Sequence, residues 1–409
     1  MSVIKPFRAL RPRTDLAEKI ACVPYDVPYD SEVREYIADN PHSFLRVTRP
    51  EAEFPIDSNP TESDVLAKSK ENLEKFIGEG WLQQDAEPSI YLYRLSVGNQ
   101  VQIGIVATCS IDEYDAGLIK KHEKTRPDKV KDRTDHMVYL GAQTGLIFLA
   151  FRGTDETRRI IAEETAREPL FECPCDAGGV TQTVWKVSDV DGLVAAFADL
   201  PALYVADGHH RAESASLARK TLREQNANHT GDEPYNFVMA GVFPAEDLKI
   251  LPYNRAVKDL NGLTKDEFLE SLSSAFLIQS TNEKVPKHGR SFAMYLDGEW
   301  SKLTYIVENI QQPNPIHSLD VSILQQNILT PILGIDDPRT NDRISFVGGI
   351  RGADELERLV DSGDYAVAFS MYPTSMDDLF AVSDMGEIMP PKSTWFEPKL
   401  KDGLFVHLI

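Results

Sequence analysis

The chain has 409 residues, of which 42% are hydrophobic and 26% charged, enough for two or three domains with sizeable cores and outside the disordered or collagen-like range. Its formal net charge of −21 excludes broad, charge-driven nucleic-acid binding, which rests on Lys and Arg neutralising phosphates. A small anionic ligand remains compatible with that charge if a local basic pocket holds it.

In chain order, "MSVIKPFRALRPRTD" has neither a long apolar core nor a small-residue cleavage site, so it does not read as a signal peptide, and no run of about 18 apolar residues occurs. The expected location is cytoplasmic, with no membrane partner. "CVPYDVPYDSEV" reads as extended chain with turns, because its prolines bar a helix, and Ser31 fits an N-cap for "EVREYIADN". "ESDVLAKSKENLEKFIGEGWL" carries apolar residues at 65, 66, 73, 76 and 77, a helix stopped by Gly78 and Gly80. "SIYLYRLSVGNQVQIGIVATCSID" predicts two strands around Gly98-Asn99. A charge-dense stretch follows, then a buried strand in "GLIFLAF", a helix in "ETRRIIAEETAREP", a strand in "VTQTVWKVSD", a helix in "VDGLVAAFADLP" and a buried strand in "ALYVA".

The helix after Gly208 places Ala212, Ala215, Ala218 and Leu222 on one stripe. "NFVMAGVF" and "LKILPYNRAV" read as strands. Thr264 and Glu267 form a capping box for "TKDEFLESLSSAF". "SFAMYLDGEWSKLTYIV" is a hairpin across Asp297-Gly298, and "LDVSILQQNILTPILGI" is a helix ending near Pro331. "ISFVGG", "ADELERLVDSG" and "YAVAFSMYP" continue as strand, helix and strand, before a Pro-rich tail. The fold class is mixed α/β (α+β). The expected division is an N-terminal region over 1–190 with a charged lid segment over 118–136, a core over 191–260, and a C-terminal region over 261–409.

Cys22, Cys109, Cys173 and Cys175 show no paired CxxC spacing, so a zinc ribbon is excluded, and all four read as structural. The sequence also lacks GxxxxGK[ST], HExxH and GxSxG, and the glycines of "ISFVGGIRG" do not make a dinucleotide fingerprint.

Chemistry concentrates instead in "LYVADGHHRAESASLAR", residues 203–219, a buried strand, a tight turn and a helix. Asp207 can cap that helix, and Gly208 allows positive φ or close approach of a ligand. His209, His210 and Arg211 then occupy the first helical turn, where a cation opposes the helix dipole by about 0.3–1 kcal/mol. A bound phosphate reverses that sign, because dipole and side chains both attract it. The competing reading is ordinary: neutral histidines, with Asp207 paired to Arg211.

A second island, "KKHEKTRPDKVKDRTDH", holds Lys120, Lys121, His122, Glu123, Lys124, Arg126, Lys129, Lys131, Arg133 and His136, and reads either as a solvated surface segment or as a mobile lid over a polyphosphate. Lys5, Arg8, Arg11 and Arg13 read as the basic edge of a surface strand. Lys392, Ser393 and Thr394 follow a proline pair, where a ligand contact competes with structural packing.

With "VPYDV", "KHEKT", "DRTDH", "VADGHHRAESA", "ILPYNRAV" and "PPKSTWFEPKLKDGL" all present, the chain resembles the domain-of-unknown-function family 1015 from residue 23 to residue 403. Its Asp207-Gly208-His209-His210-Arg211 turn is similar to the phosphate-contacting turn of the ParB/sulfiredoxin superfamily, and closest to the Asp-Gly-His of free-serine kinases. The resemblance implies a ParB/sulfiredoxin-like nucleotide-binding core embedded in a larger mixed-sheet protein, with ATP or ADP as cofactor. His209 stands where sulfiredoxin needs a cysteine, so that chemistry is not expected.

The implied activity is a nucleotide-dependent small-molecule kinase, with L-serine one candidate acceptor and Mg²⁺ the usual counter-ion. Asp207, His209, His210 and Glu123 are the candidate catalytic residues, and Gly208, His210, Arg211, Lys121, His122, Arg133 and Lys392 the candidate phosphate contacts. Asp26 is a further candidate carboxylate, against a turn-capping role, and no metal ligand set is assigned. The alternatives are a nucleotide-binding regulator without turnover and a phosphohydrolase with a histidine nucleophile. A homo-oligomer is compatible with all three.

Overall fold

The computed structural model describes residues 2–174, 179–306 and 314–409; Cys175, one of the expected structural cysteines, lies outside them. The contacts divide the chain into two units. The first comprises 1–121, 125–248 and 398–409, and the second 122–124 and 249–397. The chain passes from the first unit to the second near residue 248, and its last twelve residues return to the first.

The first unit is built on a mixed sheet. Its strands run Ile119–Lys120, Leu203–Asp207, Ile147–Phe151, Phe237–Pro244, Gln100–Ser110, Tyr91–Val97, Thr181–Lys186 and Phe171–Pro174, with Ile4–Lys5 beside Gln100–Ser110. Phe237–Pro244 is parallel to Ile147–Phe151, and Leu203–Asp207 is parallel to Ile119–Lys120; the hairpin at Gly98-Asn99 is antiparallel, as the turn chemistry predicts. Strands Ile147–Phe151 and Phe237–Pro244 are apolar throughout because both sheet faces are covered. Ala212, Ala215 and Ala218 of the helix His209–Gln225 join a core with Ile105, Leu149, Val205 and Val242.

A smaller cluster in the same unit gathers Phe44, Leu45, Leu73 and Phe76 from the N-terminal helical segments, Leu82 from the strand Leu82–Gln84, and Val406 from the other end of the chain. That tail is stitched in by backbone pairing. His407–Leu408 pairs with Ala142–Gln143, and isolated bridges join Leu10 to Val406 and Cys22 to Asp402.

The second unit is an antiparallel sheet in the order Phe276–Ser280, Glu299–Tyr305, Ser291–Leu296, Val367–Ser370, Tyr253–Val257 and Ile344–Gly348. Its core holds Ala256, Tyr295, Trp300, Val347 and Leu356. The Thr264–Glu267 capping box and the Asp297-Gly298 turn are both present. Among the described residues no helix is long and apolar enough to cross a membrane.

Candidate functional site

The strand Leu203–Asp207 is buried over its first four residues, so its apolar run anchors the bend. Its register against Ile147–Phe151 slips between Val205 and Asp207, a bulge that turns the chain out of the sheet just before Gly208. Gly208 then adopts φ 92° and opens the helix His209–Gln225 as its N-cap. That helix has no side-chain cap and no acidic residue in its first turn. The usual acid is replaced by His209, His210 and Arg211, which leaves the positive end of the dipole without an anionic side chain on the helix itself.

Asp207 does not cap the helix in the expected manner. Its Oδ1 accepts the Gly208 N–H at 2.9 Å, and its Oδ2 pairs with Lys399 at 2.8 Å. Burial pushes the carboxyl up, but Lys399, Arg211 and His209 together hold it well below the usual carboxylate range. The Asp207–Arg211 pairing of the ordinary reading is thus replaced by Asp207–Lys399.

Arg211 is buried, at 6% exposure. Its guanidinium folds back beneath the bend, where a Cβ on residue 208 would lie 3.1 Å from Nε, and its Nη1 donates to the Leu146 carbonyl. Burial favours the neutral form, yet the charges of Asp26, Asp207 and Asp402 raise its pKa above the usual value. Arg211 is thus an internal cation ringed by acids.

His210 is half-buried and its Nε2 accepts the Arg126 N–H at 3.0 Å, a bond that requires an unprotonated Nε2. His209 is buried. Arg133 reaches the same neighbourhood: it lies 4.5 Å over the Tyr25 ring and lowers the pKa of Asp402. Its helix, Pro127–Leu140, packs through Val130, Thr134, His136, Met137 and Leu140, and Ser214 fastens it to His209–Gln225 through the Val130 carbonyl at 2.9 Å. Residues 127–136 of the expected lid are therefore part of a packed helix. His136 is a core residue, bonded to Ser69 at 2.9 Å, with burial lowering its pKa to about 3.

Lys121 pairs with Glu213 at 3.3 Å and lies 3.9 Å over the Tyr114 ring. His122 and Glu123 belong to the second unit, where His122 Nε2 meets Thr394 Oγ1 at 3.3 Å. Lys392 stands in that unit too, at φ 56° with Nζ over the Tyr253 ring. Ser393 bonds the Pro390 carbonyl at 2.6 Å, the packing role of the ordinary reading. Arg11 pairs with Asp85 in a half-buried ion pair, and Arg13 pairs with Asp15 at the surface.

The sequence reading missed Lys399, Asp402, Tyr25 and Gly145. Asp402 is 2% exposed and accepts the Tyr25 N–H at 3.2 Å through Oδ2. Its Oδ1 is buried with no hydrogen-bond partner. Burial, then the Asp26 charge, raise its pKa to about 7 against the pull of Arg211, the Tyr25 N–H and Arg133. Gly145 makes the room: a Cβ there would stand 2.6 Å from Asp402 Oδ1 and 3.4 Å from Arg211 Nη1. "KLKDGL" carries Lys399 and Asp402 in the sequence, but only tertiary pairing takes them to the bend.

The chain is thus a mixed α/β protein whose first unit presents a strand–glycine–helix bend ringed by alternating charges. Residues 4–322 match the family described as "Protein of unknown function (DUF1015)", and the chain belongs to that family. No curated protein matches. Among solved structures it is similar to a free serine kinase in complex with AMP, at 12% identity over 71% of this chain and 87% of that one, with a TM-score of 0.36. It is also similar to a conserved hypothetical protein from Pyrococcus furiosus, at 14% identity, 74% and 95% coverage and a TM-score of 0.35. SbnI from Staphylococcus aureus, with a C-terminal truncation, is similar at 14% identity, 74% and 87% coverage and a TM-score of 0.40.

Proposed function

We propose that the first unit binds the phosphates of ATP or ADP at the bend Asp207–Arg211, and that the protein transfers a phosphoryl group to a small hydroxylated metabolite. The observation that carries this reading is the opening of the helix His209–Gln225. A 17-residue helix begins at a left-handed glycine with no acid and no side-chain cap in its first turn. An anion there gains the dipole term that the sequence otherwise forgoes. In this reading Gly208 lets phosphate approach the backbone, His210 contacts it from the half-buried edge, and Arg211 and Arg133 supply positive potential from beneath. Asp207, held ionised by Lys399, orients the acceptor hydroxyl. The similarity of Asp207-Gly208-His209 to the turn of free-serine kinases makes L-serine the first acceptor to try. Lys121, His122 and Lys392 keep the contacts described above.

Phosphoryl transfer usually uses Mg²⁺. The carboxylate at the bend does not fit as its ligand, because one Asp207 oxygen faces the Lys399 ammonium and the other accepts an N–H.

One observation favours a second reading, a nucleotide-responsive regulator without turnover: Arg211 is already compensated by three acids. The phosphohydrolase reading loses support, since His210 Nε2 accepts a hydrogen bond and His209 is buried.

The test is calorimetric titration of the purified chain with ATP and ADP in the presence of Mg²⁺, followed by ³¹P NMR with L-serine and a panel of hydroxylated metabolites. Binding with transfer supports the kinase, and binding without product supports the regulator. His210→Ala should weaken binding at least tenfold while leaving the thermal midpoint unchanged. Binding unaltered by that substitution moves the site elsewhere.

A further inference from the structure

Resting on the phosphate-site reading, we infer that Asp402 is a proton-accepting positioning residue. It acts through Arg211, and the bend takes up one proton on Asp402 Oδ1 when a polyphosphate binds.

The geometry is that of a carboxylate built to change charge. One oxygen is secured by the Tyr25 N–H at 3.2 Å; the other is buried, unpartnered and faces the space left by Gly145. A carboxylate normally fills both oxygens with donors when it is buried as an anion. Here Arg211, the natural donor, spends its Nη1 on the Leu146 carbonyl.

The groups facing Asp402 come from every packed segment. Tyr25 and Asp26 flank it from the N-terminal loop, Cys22 pairs with its backbone, Arg133 comes from the helix Pro127–Leu140, and Arg211 from the helix His209–Gln225. Arg211 in turn feels Asp207, which is paired with Lys399.

Charge counting then gives the sign. Arg211, Arg133 and Lys399 bring three positive charges to the cluster and Asp26, Asp207 and Asp402 three negative ones, with Asp132 beside Arg133 adding a fourth. Protonating Asp402 removes one negative charge from that cluster, so the bend becomes one charge more positive and holds an anion better. The balance lies near neutrality, since its carboxyl is pushed up to about 7. By linkage, the anion that prefers the protonated cluster also raises proton affinity there. The apparent obstacle to a phosphate at the bend, an arginine already matched by acids, is thereby conditional on pH.

The experiment uses the full chain and two probes, ATP and inorganic pyrophosphate, titrated by calorimetry between pH 6 and 8 in buffers of different ionisation enthalpy. Affinity should fall about tenfold across that range, with proton uptake at pH 7. In Asp402→Asn both the extra uptake and the slope should vanish relative to the parent, leaving only the probe's own titration. Should Asp402→Asn not fold, Asp26→Asn supplies the second arm. It removes an exposed charge that raises the Asp402 pKa, and the midpoint should move to lower pH. Binding with the same slope and uptake in Asp402→Asn, or an unmoved midpoint in Asp26→Asn, overturns the inference while sparing the phosphate site. Failure of both probes to bind the parent at any pH overturns the phosphate site and this inference with it.

Discussion

Gly208 sits at φ 92°, a conformation that L side chains rarely adopt, and the Arg211 guanidinium lies directly under it. Gly208→Ala must strain the backbone and bring Cβ to 3.1 Å from Nε and 3.3 Å from Cζ of Arg211. The expected loss is about 1–3 kcal/mol, read by urea denaturation, together with loss of phosphate binding. This glycine was legible in the sequence, because a strand, a polar pair and a helix leave few residues able to make the turn. The depth of Arg211 was not legible. Its burial depends on Leu146, Gly145 and Asp402, residues between 65 and 191 positions away. Arg211→Ala should therefore lower stability as well as weaken binding, because removing a buried cation strands three acids.

At the scale of elements, local pattern predicted the helices and hairpins well wherever short-range chemistry decides them. The capping box at Thr264, the hairpin at Asp297-Gly298 and the alanine stripe of His209–Gln225 are examples. The charged stretch 120–136 divided differently. Its composition is that of a solvated surface, but every third or fourth residue from Val130 to Leu140 is turned inward. The tail is the element whose role composition concealed. Leu404, Phe405 and Val406 are buried, and the segment delivers Lys399 and Asp402. Lys399→Met should strand the Asp207 carboxylate and lower stability by about 1–3 kcal/mol in thermal melts. Deletion of Pro398–Ile409 should abolish a cooperative melt of the first unit. A deletion that melts as the parent does would show the tail to be dispensable.

For the whole molecule, the two carboxylates give opposite pH signatures. Asp207 is held below its ordinary value, so its stabilising contribution is present above about pH 4 and is lost as pH falls through the depressed value. Asp402 is raised from 3.8 to about 7, so its contribution is full below the ordinary value and is lost as pH rises through about 7. Asp402→Asn removes the second effect. The variant should be more stable than the parent by about 2–4 kcal/mol at pH 8, and the two should converge near pH 4, as measured by denaturant melts across that range.

The sequence by itself determined the mixed α/β class and the place of the strand–glycine–helix bend. Both follow from composition and from residues within one or two turns of each other. Tertiary structure alone decided which charges meet there. Asp207 and Lys399 are 192 positions apart, and Tyr25 and Asp402 are 377 apart; backbone pairing of the tail, whose partners local pattern does not specify, brings them together. An ion pair closed by such a loop leaves no periodicity to read, yet it sets the protonation and the charge of the bend.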